Sequence, residues 1–226
     1  MKRLMNNTKT HQLFNQLQFE LHKTLPSAQL EARPLPLCPQ LQLFLLSDDL
    51  PRGPLPHDEM LAVLNEPAYW AFCWASGQVL ARYLMNDPET CRDKTVLDFG
   101  AGSGAVGIAA ALAGASRVIC CDIDPTALLA SRANAALNGV EVELLEDIND
   151  LQGDIDLLIA ADVLYDRENF PWIKRLPNLS NQVLIADSRV KSDKLAGYTI
   201  VDRVEATTIP DLDEFKEYND VRVYRN

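Results

Sequence analysis

At 226 residues with a formal net charge of −11, the chain is long enough for one α/β domain with an extension and too acidic for a nonspecific grip on DNA or RNA, which needs a basic face. No apolar run is long enough to span a membrane and no signal-peptide core follows the N-terminus, so a membrane protein is not expected. The five cysteines show no CxxC spacing and read as reduced thiols of an intracellular, cytoplasmic protein; the three histidines (His11, His22, His57) all precede residue 58, which leaves no His-based triad or metal site for the rest of the chain.

Residues 1–33 hold one helical pattern, with Leu13, Phe14, Leu17, Leu21 and Leu25 on a common stripe. The first nineteen residues carry Lys2, Arg3 and Lys9 but no acid, a faint presequence character; because the helix runs on through Glu20, packing against the domain or a substrate is the plainer reading. Residues 34–56 are punctuated by Pro34, Pro36, Pro39, Pro51, Pro54 and Pro56 around one short strand, Leu41–Leu46, and read as an irregular cap. The expected division is an extension over 1–56 and the main domain over 57–226. Residues 57–86 should be largely helical, which would place Trp70 and Trp74, four apart, on one helix face. A core stripe is the ordinary meaning of such a pair.

The centre of the chain is Thr95-Val-Leu-Asp98-Phe-Gly100-Ala-Gly102-Ser-Gly104-Ala-Val-Gly107. An apolar run, alternate glycines and a small-residue segment to about Ala113 predict a strand, a tight turn and a helix whose N-terminal N–H groups face a nucleotide-type ligand. Two cofactors compete for this turn. Gly102-x-Gly104-x-x-Gly107 with Asp122 downstream satisfies the dinucleotide fingerprint. Asp98 argues the other way, since a carboxylate beside the turn repels pyrophosphate and suits the ammonium and sulfonium of S-adenosylmethionine. The run Asp98-Phe-Gly-Ala-Gly-Ser-Gly resembles the first motif of class I S-adenosylmethionine-dependent methyltransferases. That resemblance implies cofactor contacts from Asp98, Gly100, Gly102 and Gly104, and a wall over the cofactor from the helix that carries Trp74.

Further on, Arg117–Cys121 reads as a second strand ending at Asp122, placed to accept from two ribose hydroxyls. Asp124-Pro125 has the form of an N-cap and first helical residue, and Gly139 of a C-terminal stop. Val142–Leu145 is a third strand followed by Glu146-Asp147. The resemblance offers Asp147 for the adenine amino group, while two solvated loop acids remain an alternative. Asp156–Ala161 has the near-continuous apolar character of a buried parallel strand, so Asp162 and Tyr165, just past its end, should border the ligand crevice. A helix near 168–176, a strand over Gln182–Ala186 and strands near 198–208 and 220–225 complete the chain. The fold expected is a Rossmann-like, doubly wound, mostly parallel seven-stranded sheet with a C-terminal antiparallel hairpin.

Asp162-Val-Leu-Tyr165 resembles the Asp-x-x-Tyr signature of the seven-strand protein-lysine methyltransferases called methyltransferase family 16. Together with Tyr69-Trp70-Ala-x-x-Trp74-x-x-Gly77, Asp122-Ile-Asp124-Pro125 and Asp166, it is similar to the branch that methylates the β-subunit of electron transfer flavoprotein. Asp187-Ser-Arg189 departs from the Asp-Pro-Gly-Arg of that branch. The resemblance implies S-adenosylmethionine as cofactor, no metal, and a protein partner presenting a lysine. Asp162, at the cofactor as well as at the acceptor, would attract and orient the amine, and Tyr165 would offer it an oxygen or a ring face. A small-molecule N-methyltransferase of the nicotinamide N-methylase kind and a dinucleotide oxidoreductase stay open as alternatives.

Overall fold

The computed structural model describes residues 8–49, 56–165, 167–190 and 194–226. Lys2, Arg3, Pro51, Pro54 and Asp166 fall outside the described residues. Helix α1 (Thr8–Thr24) buries Leu13, Leu17 and Leu21, as the stripe requires. They pack with Leu25 against Phe44, Trp70 and the alanine face of helix α5 (Pro125–Asn138). Each buried leucine stabilises the contact by roughly 1.5–3 kcal/mol.

The cap is more regular than the proline spacing suggests. Strands β1 (Leu30–Leu35) and β2 (Cys38–Leu46) form an antiparallel hairpin of their own. The prolines do not break it because Pro36 lies in the two-residue turn and Pro34 sits in a strand with a single neighbour, where a missing N–H is tolerated. The hairpin is joined to α5 by side chains that imitate a strand. Asn138 pairs with both backbone groups of Gln42 (3.0 and 2.6 Å), and Asn134 Oδ1 accepts from the Phe44 N–H at 2.7 Å.

The continuous helix expected over 57–86 is interrupted. Helix α2 (His57–Asn65) ends before Pro67, a 3₁₀ turn covers Tyr69–Ala71, and helix α3 (Ala75–Asn86) begins afresh after Trp74. Between them Cys73 makes a two-way backbone bridge with Ile209 (2.8 and 2.9 Å), which holds the segment extended. Trp70 and Trp74 therefore do not share a helix face: Trp70 is buried in the packing of α1 and α5, while Trp74 is the N-cap residue of α3.

Strands β3 (Thr95–Phe99), β4 (Arg117–Cys121), β5 (Glu143–Leu145), β6 (Leu157–Ala161), β7 (Val183–Asp187), β8 (Thr199–Glu205) and β9 (Asp220–Arg225) build one sheet in the order β5-β4-β3-β6-β7-β9-β8. All neighbours are parallel except β9, which runs against β7 and β8. This is the doubly wound sheet with terminal hairpin read from the sequence. Helix α4 (Ala105–Leu112) follows β3, and the short α6 (Trp172–Arg175) follows β6. The strand order reverses between β3 and β6, so their carboxyl ends open a crevice.

Candidate active site

A cavity of about 830 Å³ fills that crevice, lined by residues just beyond the carboxyl ends of β3, β4, β5 and β6. Its floor is the glycine turn, which turns its polar groups inward. The N–H groups of Gly100 and Ala101 both donate to Cys121 O, that of Gly104 donates to Ala101 O, and that of Gly102 donates to Asp122 Oδ2 at 2.8 Å. Helix α5 holds the carbonyls: Ser131 Oγ donates to Gly102 O and Asn134 Nδ2 to Ser103 O. The N–H groups of Gly100, Ala101, Gly102 and Gly104 are thereby used by the protein itself.

Asp98 lies below the turn rather than over it. It is buried beneath the turn, is not part of the cavity wall, and its Oδ2 accepts from the Gly107 N–H of α4 at 2.8 Å. The Asp98 side chain fills the site at the helix N-terminus from within the protein. Burial, with the Asp122 charge added, pushes its pKa up to about 7 against the helix bond that lowers it. Gly104 also lies outside the cavity wall. It is the left-handed N-cap of α4, and a Cβ there would come within 2.8 Å of the Ser131 backbone. Gly100 and Gly102 do line the cavity. Gly102 has φ +53°, yet a Cβ there would meet nothing within 4 Å. Protein packing leaves that space open, so it is available to a ligand lying over the turn.

Asp122 borders the same space. Besides Gly102 N, it accepts from Asp124 N at 3.0 Å through Oδ1, so each oxygen keeps capacity for a further donor. A fixed carboxylate with two accepting oxygens matches a vicinal diol such as ribose. Asp124 is the N-cap of α5, accepting from Thr126 N at 2.7 Å, with Pro125 next and left-handed Gly139 at the other end. Asp147 caps a short 3₁₀ turn through Oδ1 and lines the far arm of the cavity beside Ile148.

The other end of the cavity is built around Asp162, a residue at φ +54° after β6. Its Oδ1 accepts from Ser76 Oγ at 2.7 Å and its Oδ2 from Ser76 N at 3.0 Å, which clamps the first turn of α3 to the end of β6. Burial, then the neighbouring Asp187, pushes Asp162 up to about 7, against the Ser76 bonds that lower it. Around it stand rings. Tyr69 lies edge-on to Trp74 at 5.8 Å and to Tyr165 at 6.0 Å, and all three line the cavity. Tyr165 is half exposed, as a rim residue would be. Ser76 and Tyr69 as a cavity wall were not singled out from the sequence; Glu214 was read as part of an acidic loop, Asp211–Glu214, that is ordinarily solvated and alternatively a lysine-attracting rim, without its pairing to Arg189. Ser76 is 86 residues from its partner, and no local pattern marks such a contact.

The ionic character of the wall bears on the cofactor. Its described cations, Lys23 and Arg189, are paired with Glu20 at 2.6 Å and Glu214 at 2.7 Å, while Asp122, Glu146, Asp147 and Asp162 face the same space. Pyrophosphate would meet acids and occupied N–H groups. A phosphate-free, cationic nucleoside fits.

The model of the ribosomal protein L11 methyltransferase family matches residues 80–166. A solved ribosomal protein L11 methylase from Lactobacillus delbrueckii subsp. bulgaricus superposes with a TM-score of 0.52 at 25% identity, covering 67% of this chain and 77% of that one. The chain shares the fold of that methyltransferase. Among curated methyltransferases it is similar to the electron transfer flavoprotein β-subunit lysine methyltransferases of Homo sapiens (37% identical, 67% of this chain, 60% of the relative) and Mus musculus (39%, 58% and 52%). The chain thus spans between half and two thirds of the length of these methyltransferases.

Proposed function

We propose that the chain is an S-adenosylmethionine-dependent protein-lysine N-methyltransferase, with the electron transfer flavoprotein β-subunit as its candidate acceptor. The observation that carries this reading is one cavity with two differently furnished ends. Over Gly102, Asp122 and Asp147 it suits a nucleoside; beside Asp162, Tyr69, Trp74 and Tyr165 it suits a cationic chain. The names of the curated relatives support the choice of a lysine acceptor and of that partner.

Asp122 would hold the ribose hydroxyls, Asp147 the adenine edge, and Gly102 would let the ligand lie against the backbone, while Gly100 lines the cavity and makes room for Val163. Trp74 would close the wall over it, while Asp98 and Gly104 support the turn from below. S-adenosylmethionine, when bound, supplies an electrophilic methyl group on a sulfonium. The remaining work belongs to the chain. A free lysine has a pKa near 10.4, so the ammonium would first give a proton to water, along the Asp162 carboxylate, before its nitrogen can act as nucleophile. Asp162, fixed by Ser76, orients the nitrogen and draws its N–H groups toward Oδ1 and Oδ2. The rings of Tyr69, Trp74 and Tyr165 exclude water and face the ammonium with π-density. Holding the reactants in near-attack geometry contributes about 7–11 kcal/mol in well-oriented systems.

The test uses tritiated-methyl S-adenosylmethionine, the purified chain, and extract of cells lacking it. Label in a protein, traced to a lysine by mass spectrometry, is the expected result. Label confined to small molecules would replace this reading with a metabolite N-methyltransferase; no label and binding of NADH would replace the cofactor.

A further inference from the structure

The connection between β8 and β9, residues 206–219, is tied down beside the cavity more firmly than a sheet-edge loop requires. Ile209 is bridged in both directions to Cys73, and the buried Gln78 donates from Nε2 to Thr207 O at 2.7 Å. Both anchors belong to the stretch that carries Trp74 and Ser76, so the loop and the aromatic wall form one piece. What the loop itself presents to the cavity is Leu212 and Glu214.

Glu214 is held as a positioned carboxylate. Thr208 Oγ1 donates to Oε2 at 2.5 Å and Arg189 Nη2 donates to Oε1 at 2.7 Å, leaving its side chain 18% exposed. A carboxylate has about four acceptor sites, and these bonds use two. Arg189 is fixed in turn, its guanidinium 4.5 Å from the centre of the Tyr218 ring. This cation also serves Asp162 and Asp187, whose charges it favours. Asp162, Asp187 and Glu214 draw on Arg189, with Arg222 acting on Asp187 as well, whereas Lys23 is matched one to one with Glu20. An added ammonium would offset part of the negative charge left at the Asp162 end.

We propose that Glu214 is the acceptor-recognition residue of this cavity, a fixed carboxylate that receives the cationic end of the acceptor chain and passes it inward to Asp162. This rests on the reading of the acceptor as an amine. A glutamate that merely staples the loop to Arg189 would affect folding and every ligand alike; a recognition residue discriminates by charge.

The probe is n-butylammonium, the end of a lysine side chain, compared with neutral 1-pentanol, which is one methylene longer and carries no charge. Binding is followed by tryptophan fluorescence in the presence of saturating S-adenosylhomocysteine, whose own affinity is measured separately by calorimetry. In Glu214→Gln the amide can still accept from Arg189 and donate to Thr208, so the loop keeps its anchors. The expected result is saturable n-butylammonium binding to the wild type, weakened at least tenfold in Glu214→Gln and partly recovered in Glu214→Asp. Pentanol and S-adenosylhomocysteine affinities should be equal in all three proteins. Equal ammonium affinity in wild type and Glu214→Gln, no saturable ammonium binding to the wild type, or a parallel loss of pentanol or S-adenosylhomocysteine would overturn the proposal. The protein-labelling assay is independent: if the wild type labels no protein while the ammonium difference holds, the acceptor class fails and the role of Glu214 stands.

Discussion

Asp98 and Asp162 are two aspartates with the same elevated pKa, about 7, and opposite surroundings. Asp98 is sealed under the glycine turn; Asp162 opens on the cavity. Because the unfolded value is about 3.9, native Asp98 holds a proton that the unfolded chain gives up between about pH 4 and 7. Its contribution to stability is complete below that window and is lost as pH rises through it, with a slope of up to about 1.4 kcal/mol per pH unit. Asp98→Asn, which can still accept from Gly107, should flatten this fall and be no less stable than wild type at pH 8, as urea titrations at several pH values would show. An unchanged slope would mean that Asp98 ionises freely. At Asp162 the clean variant is Asn, which tolerates positive φ and can still accept from Ser76 N while offering its amide to Ser76 Oγ. It should keep the melting temperature and lose about 10–100-fold in kcat/KM for the amine acceptor, the equivalent of one charge-assisted hydrogen bond. Full activity in Asp162→Asn would remove the carboxylate from the mechanism.

Helix α5 links more of the site than any other element. Ser131 and Asn134 reach the glycine turn on one side, and Asn134 and Asn138 reach the hairpin on the other. Asn134→Ala strands the Phe44 N–H and the Ser103 carbonyl in the interior. The expected cost is about 2–4 kcal/mol of stability by chemical denaturation, with weaker S-adenosylhomocysteine binding because the turn loosens; a cost under about 0.5 kcal/mol would show that these groups find other partners. The sequence signals for α5 itself were plain: Asp124 and Pro125 at one end, Gly139 at the other. So were the strands before Gly100, Asp122 and Asp162, since apolar runs closed by an acid or a glycine are local patterns. The helix break at Trp74 and the β1–β2 hairpin were not legible. The first depends on a bridge to Ile209, more than a hundred residues away, and the second on asparagine side chains of α5. The surroundings of Asp98 were not legible for a related reason: its proximity to the glycines in sequence is real, but the strand pleat turns it to the buried face, where α4 offers a donor.

At the scale of the whole molecule, the net charge of −11 sets the terms of encounter. An acidic surface leading to a cavity whose described cations are already paired attracts a basic segment over roughly the Debye length, about 8–10 Å in moderate salt. Raising the ionic strength from about 0.02 to 0.5 M should therefore increase KM for a protein acceptor about tenfold or more. The affinity for S-adenosylhomocysteine, whose contacts are enclosed, should change little. Equal sensitivity of the two would place the electrostatic attraction elsewhere.

The two-armed grip of Asn134 also bears on engineering. Trimming the chain at the proline-rich stretch near residue 56, the natural place to seek a minimal catalytic fragment, would strip β2 from α5 and leave the Asn134 and Asn138 amides facing solvent or each other. It would also uncover the alanine face beneath Leu13, Leu17 and Leu21. A fragment library or a fusion partner is better attached ahead of α1, where the first described turn carries exposed Thr8 and Lys9.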